Sequence, residues 1–303
     1  MEKNTFIFLK VSQGKGVEML KKLTQFYHPT TIEEACKLLS KPKTAVIAGG
    51  TAEALKKDDT IEALVDITHI KELNHLSQDA SSVKIGATTT VQDVYKSETL
   101  KGVTGNFLKN VAGTVAATAL RNTITVGGNL AAQLWWSDLP VAYLALDAEV
   151  VCRSGKPKRT VPVVQVINDI PAKFLKKGEI FAEIQVPCFD KNTGCDFRKQ
   201  VKTHHDYSTI TVATRITLKN GMITAARIAC NAVTSSPFRC MEAEKMLVGH
   251  KPSEELVAKV AEKAASSIKY REDFRASKEY RKEVFQVFVR RSLEESIKAA
   301  SSK

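Results

Sequence analysis

Apolar residues occur along the first half of this chain in brief runs that alternate with segments of helical period. TAVIA (44–48), ALVDI (63–67) and VKIGA (83–87) read as strands. Helix-period stretches between such runs mark a domain that mixes the two element types. TTIEEACKLLS (30–40) predicts a helix. Thr30 or Thr31 serves as its cap, and Glu33 and Glu34 sit in the first turn, where carboxylates complement the positive end of the helix dipole. TTTVQDVYKS (88–97) carries the hydroxyl residues that start another helix. The small residues of LKNVAGTVAATALRN (108–122) predict one closely packed helix, and TITVGGNL (123–130) predicts a strand running into two glycines. Asp138 and Pro140 suit a cap and an early-helix proline, so VAYLALD becomes a helix and AEVVCRSGKPKRTVPV a hairpin.

From about residue 196 the pattern changes to strict alternation. Ile210, Val212, Ile216 and Leu218 lie on one face, and Asn220-Gly221 turns the strand back on itself. Helices are predicted over about 238–249, 253–269 and 277–298, the last with Val284, Phe288, Arg291 and Glu295 at helical spacing. A sheet followed by helices reads as a separate α+β unit.

Composition narrows the function classes. The 303 residues, 43% hydrophobic and 26% charged, are enough for two or more cores, which argues against disorder. Cys36, Cys152, Cys188, Cys195, Cys230 and Cys240 include no C-x-x-C pair and no spacing suited to zinc or an iron–sulfur cluster. No metal site is expected, and a cytoplasmic chain with reduced thiols fits best. The first residues contain only the short apolar patch Phe6–Leu9, which is not a signal peptide, and no run is long enough to span a bilayer. A net charge of +12 raises nucleic acid as a partner, yet Lys and Arg are interleaved with Asp and Glu along the whole chain, so no nucleic-acid role is expected.

Two Gly-Gly turns carry the candidate chemistry. Glycine lets the backbone approach a ligand closely, and consecutive N–H groups can converge on an anion; two such loops suit a pyrophosphate. Neither matches G-x-G-x-x-G or G-x-x-x-x-G-K-[ST], which argues against an ordinary Rossmann or nucleotide-hydrolase site. Adjacent His204 and His205 point to opposite faces of a strand and read as an exposed pair, while His28, His69, His75 and His250 show no partner pattern.

The order of the pieces is informative. QFYHPTTIEEACKLL, AVIAGGT, ALVDITHIKEL, VKIGATTTVQDV, LRNTITVGGNLA and SDLPVAYLALDAEVVCRS, then GEIFAEIQVP, FRKQVKTHHDYSTITVATRI and AEKMLVGHKPSEEL, resemble the FAD-binding subunit of the molybdenum hydroxylases over about residues 24–298. That family includes the flavin subunits of xanthine dehydrogenase and carbon monoxide dehydrogenase. The resemblance implies an α+β fold: a two-part FAD-binding domain at 24–195, with subdomains of about 24–80 and 81–195, then a smaller C-terminal domain at 196–303. Residues 1–23 precede the usual family start as an extension.

The resemblance further implies that Ala48, Gly49, Gly50 and Thr51, with Thr125, Val126, Gly127, Gly128 and Asn129, supply donors to the FAD pyrophosphate. Asp138 stands where the family has a cofactor-contacting aspartate, and it also suits a helix cap. Tyr207 is placed to stack on the isoalloxazine, with Lys199 or Lys202 near its electronegative edge and His205 close to the flavin if the stretch docks there; for Lys202 a solvated strand charge is the other reading. No catalytic nucleophile or acid–base pair is implied. FAD would relay electrons to NAD or another acceptor from iron–sulfur centres. Molybdopterin and 2Fe-2S belong to partners, a molybdenum-binding large subunit and an iron–sulfur small subunit. A stand-alone flavin oxidoreductase and a scaffold that has lost FAD are the alternatives. Ala52 and Glu53 after the first loop depart from the family pattern, as does Trp135-Trp136 before Asp138; the tryptophans read either as core packing or as an altered cofactor wall.

Overall fold

The computed structural model describes residues 20, 22–52, 60–167, 174–203 and 205–302. Its strands form three sheets. The first is parallel, with β3 (Ala63–Asp66) between β1 (Gln25–Tyr27) and β2 (Thr44–Ile47). Helix α1 (Ile32–Leu39) crosses between β1 and β2; Thr31 caps it, its hydroxyl accepting from the Glu34 N–H. Ile32, Ala35 and Cys36 bury its inner face against Val65 and Ile70.

The second sheet is antiparallel, in the order β4 (Leu76–Gln78), β5 (Ser82–Gly86), β8 (Ile180–Pro187), β6 (Glu149–Arg153), β7 (Lys158–Pro162). A set of helices covers it: α2 (Val91–Lys96), α3 (Gly102–Thr114), α4 (Thr118–Arg121), α5 (Val126–Ala132), α6 (Leu139–Ala145) and α7 (Val163–Ile167). Thr90 and Asp93 form a reciprocal capping box on α2. The expected helix over 108–122 is divided: α3 ends at Thr114, Ala116 takes a left-handed φ of 41°, and α4 restarts at Thr118. The Arg121 guanidinium satisfies the carbonyls of Val115 and Ala116 freed by this break, at 3.1 and 2.7 Å.

The third sheet runs β9 (Thr193–Gln200), β10 (Ile210–Lys219), β11 (Met222–Asn231), β12 (Phe238–Arg239). Asn220 and Gly221 both have positive φ, 53° and 74°, as a tight hairpin turn requires. Helices α8 (Met241–Lys245), α9 (Glu254–Ser266) and α10 (Lys278–Ser301) follow. The predicted helix over 238–249 is mostly not helical: Phe238 and Arg239 pair with β11, and α8 is only 5 residues long. On α10 the buried face is Arg281, Phe285, Val289, Ser292, Leu293 and Ser296, rotated from the expected stripe. The polar members explain the difference, since the Ser292 and Ser296 hydroxyls bond to the buried Thr214 hydroxyl on β10 at 2.8 and 2.7 Å.

Asp147, in the turn between α6 and β6, joins the second sheet to the third. Its carboxylate accepts from Arg215 on β10, from Arg227 on β11 at 2.8 Å and from Arg239 on β12 at 3.1 Å. Among the described residues, no helix is long and apolar enough to cross a membrane.

Candidate functional site

Strand β2 delivers the first glycine loop directly. Ile47 is followed by Ala48, Gly49, Gly50 and Thr51, with Gly50 at φ +69°, a conformation that side-chain-bearing residues rarely adopt. A Cβ on Gly49 would lie 1.8 Å from the Thr123 carbonyl oxygen, so this loop is in backbone contact with the segment leading into the second loop. None of the N–H groups of Gly49, Gly50 and Thr51 has a hydrogen-bond partner among the described residues. These groups can donate to a ligand anion.

The second glycine loop is not a strand running into a turn. It is the start of α5: Thr125 caps the helix, its hydroxyl accepting from the Gly128 N–H at 3.2 Å. A single bridge between Thr90 and Thr125 is all that remains of the expected strand. The loop is instead fixed by bonds from the Val126 N–H to Thr89 O and from the Gly127 N–H to Ala87 O, at 3.0 and 2.9 Å. Gly127 lies so close to Ala87 that a Cβ would approach the Ala87 methyl to 2.6 Å.

Both loops open onto a cavity of about 710 Å³. Ala48, Gly49, Gly50, Thr51, Thr125, Gly127, Gly128, Asn129, Asp138, Lys199 and Tyr207 all line it. Two expected site residues do not. The Val126 side chain is wholly buried in the core beneath, and Lys202 is exposed beside a separate small depression with Arg275 and Tyr280.

Asp138 begins α6, but its side chain makes no capping bond. The carboxylate turns to β9 and β10 instead, accepting from Lys199 Nζ at 2.7 Å, the Ser208 hydroxyl at 2.7 Å and the Thr211 hydroxyl at 3.2 Å. Lys199 donates its second bond to Thr114 O at 3.1 Å. Thus α3, α6, β9 and β10 all meet at one ion pair in the cavity wall. Beside it, Tyr207 is half-exposed, and Trp136 packs on it with ring centroids 4.7 Å apart and planes inclined by 37°. Trp136 is therefore part of the cavity wall, whereas Trp135 lies outside it beneath the Arg271 guanidinium, 3.5 Å from the ring centroid.

Several wall residues carry no recognisable sequence signal. Leu120, Ile124, Leu175, Ile180 and Phe181 add apolar wall, and Lys176, Lys177 and Glu179 of the same 175–181 segment add charged groups. Within it, Glu179 forms a two-pronged pair with Arg159 at 2.8 and 2.7 Å and accepts from the Lys176 N–H at 2.9 Å. Burial opposes its ionisation, but these donors prevail and hold the carboxyl below the usual range. His205 also lines the cavity, its Nδ1 donating to Ala116 O at 3.1 Å, while His204 lies outside the described residues. Three of the other histidines do have partners: His75 meets Glu183 at 2.7 Å, and His28 and His69 converge on Asp66. Burial raises the Cys152 thiol to about 11 and Cys195 to about 12, so both stay protonated near neutrality.

Both glycine loops, the Asp138–Lys199 pair and the Trp136–Tyr207 pair line one cavity, and the family match identifies the class as an FAD-binding flavoprotein. Residues 21–189 match the FAD-binding domain in molybdopterin dehydrogenase and residues 196–296 the carbon monoxide dehydrogenase flavoprotein C-terminal domain. This chain belongs to the family of FAD-binding medium subunits of the molybdenum hydroxylases. It is 30% identical over 269 residues to the glyceraldehyde dehydrogenase medium chain of Sulfolobus acidocaldarius, covering 88% of this chain and 95% of the relative. It is 27% identical to the xanthine dehydrogenase FAD-binding subunit of Escherichia coli O157:H7, covering 92% and 97%. Carbon monoxide dehydrogenase from Hydrogenophaga pseudoflava shares the fold with a TM-score of 0.85 at 27% identity, over 91% of this chain and 98% of that one.

Proposed function

We propose that this chain holds FAD as the relay between iron–sulfur centres on a partner subunit and NAD or another final acceptor. The observation that carries this reading is the convergence of both glycine loops, the Asp138–Lys199 pair and the Trp136–Tyr207 pair on one cavity. FAD supplies the interchange between one-electron and two-electron transfer.

The residues fit the cofactor. The N–H groups of Gly49, Gly50 and Thr51, which have no partner among the described residues, donate to the pyrophosphate, with the Thr125–Asn129 loop opposite them. Gly50 and Gly49 cannot be replaced there without strain or backbone collision. Tyr207 offers an aromatic face to the isoalloxazine, and Lys199 sets the charge near it while neutralised in part by Asp138. The apolar wall residues Leu120, Ile124, Leu175, Ile180 and Phe181 offer cover for the ring system.

The organic substrate is then handled elsewhere, on a molybdenum-binding large subunit, with a 2Fe-2S small subunit between. Affinity capture of the native chain under mild conditions tests this directly. The expected result is co-purification of a molybdenum protein and an iron–sulfur protein, with substrate-dependent bleaching of flavin absorbance only in the complex. Recovery of a free chain whose flavin is reduced by an organic substrate without partners overturns the relay reading.

A further inference from the structure

His28, Asp66 and His69 lie apart from the cavity, and none of the three lines it. Parallel pairing brings them together. Tyr27 on β1 is opposite Val65 on β3, so the next residues, His28 and Asp66, leave the same end of adjacent strands side by side. His69 returns three positions later through the turn that follows β3.

One carboxylate oxygen is already held. Asp66 Oδ1 accepts from the Thr68 N–H at 2.9 Å and from the Thr68 hydroxyl at 2.6 Å. This turns the other oxygen outward, where His28 Nδ1 stands at 3.5 Å and His69 Nε2 at 3.7 Å. Both distances are too long for good hydrogen bonds. They are close to the ligand-to-ligand edge of a tetrahedral zinc site, about 3.3–3.6 Å for bonds of about 2.0–2.2 Å. One ligand atom from each of the three residues lies within 4.8 Å of the others. The His28 and His69 rings meet edge to face, 5.1 Å between centroids, so their nitrogens approach without the rings colliding.

We propose that His28, Asp66 and His69 form a surface site for a single divalent first-row transition ion, zinc being the best match. Two imidazoles and one carboxylate are a borderline donor set that prefers zinc, nickel or copper to calcium or magnesium. The Thr68 bonds supply the outer support that orients a ligating carboxylate. Asp66 is only 16% exposed while the imidazoles are 43% and 57% exposed, so the carboxylate is preset, the rings close on the ion, and water completes the coordination. Bound metal ties the end of β1 to the turn after β3 and stabilises the folded chain by mass action.

The test uses the full-length, tag-free chain with its flavin, stripped with chelator and titrated calorimetrically with zinc chloride. One equivalent is expected, weakened at least about tenfold by His28→Ala, His69→Ala or Asp66→Asn and unchanged by His250→Ala. Asp66→Asn keeps an oxygen for Thr68, so it reports on binding even if an alanine variant folds poorly. Electron paramagnetic resonance of the copper-loaded chain should show two equatorial imidazole nitrogens, falling to one in His69→Ala. No bound zinc in the wild-type chain, or an equivalent that survives all three substitutions, overturns the site. Flavin absorbance in the same samples reports the FAD site independently, so failure of one reading is separable from failure of the other.

Discussion

Lys199 on β9 and Asp138 at the start of α6 form an ion pair at 2.7 Å, the lysine 10% and the aspartate 3% exposed. Removing either partner leaves a buried charge uncompensated, which destabilises by about 3 kcal/mol. The two removals have opposite electrostatic signs at the flavin. Lys199→Met leaves a carboxylate and should lower the flavin reduction potential, whereas Asp138→Asn leaves an ammonium and should raise it, each on the order of tens of millivolts. Potentiometric titration of the two variants checks this; shifts of the same sign would place the pair away from the ring system.

Gly50→Val forces a branched side chain onto a backbone at φ +69°, and Gly128→Val places a Cβ 2.7 Å from the Thr125 hydroxyl. Both variants should lose the visible flavin absorbance of the purified chain while retaining cooperative unfolding. Wild-type flavin content in both rejects the loop assignment.

Tyr207→Ala removes an aromatic face and exposes Trp136. Bound-flavin fluorescence should rise and the potential change, with FAD retained, because stacking quenches emission. Identical emission and potential put Tyr207 out of contact with the ring.

Glu179 links stability to acidity. Its folded carboxyl ionises below the ordinary value of 4.5, so the Arg159 pair contributes fully above that value and is lost as pH falls through the lower folded one. Glu179→Gln should therefore cost about 3 kcal/mol near pH 7, with the gap to wild type narrowing as pH is lowered below 4.5. Urea melts at several pH values measure it; a constant gap shows that the pair is not the source.

Much of the architecture was legible in local pattern. Apolar runs at 44–47, 63–66 and 82–86 are strands, and the Thr31 and Thr90 caps act where hydroxyls precede an acidic first turn. The Asn220-Gly221 hairpin follows from its turn residues alone. What escaped depends on partners distant in sequence. Ala116 breaks a helix that small-residue composition favours, because the Arg121 side chain caps the break. Thr125 looks β-like but is a cap, held by the 87–91 segment. The buried serines of α10 hide its inner face from any hydrophobic count. For the site, the glycines announced both loops, yet the wall at 175–181 and the Trp136–Tyr207 pair emerge only when sheets and helices meet.

Arg215 and Arg227 are directly opposite each other on β10 and β11, an arrangement that repels unless an anion lies between them. Asp147 is that anion, and it comes from the half of the chain made first. Asp147 also precedes both arginines in the chain, so the hairpin's two facing guanidiniums depend on a carboxylate supplied from outside it. Expressed alone, the later half meets two guanidiniums face to face with nothing to neutralise them.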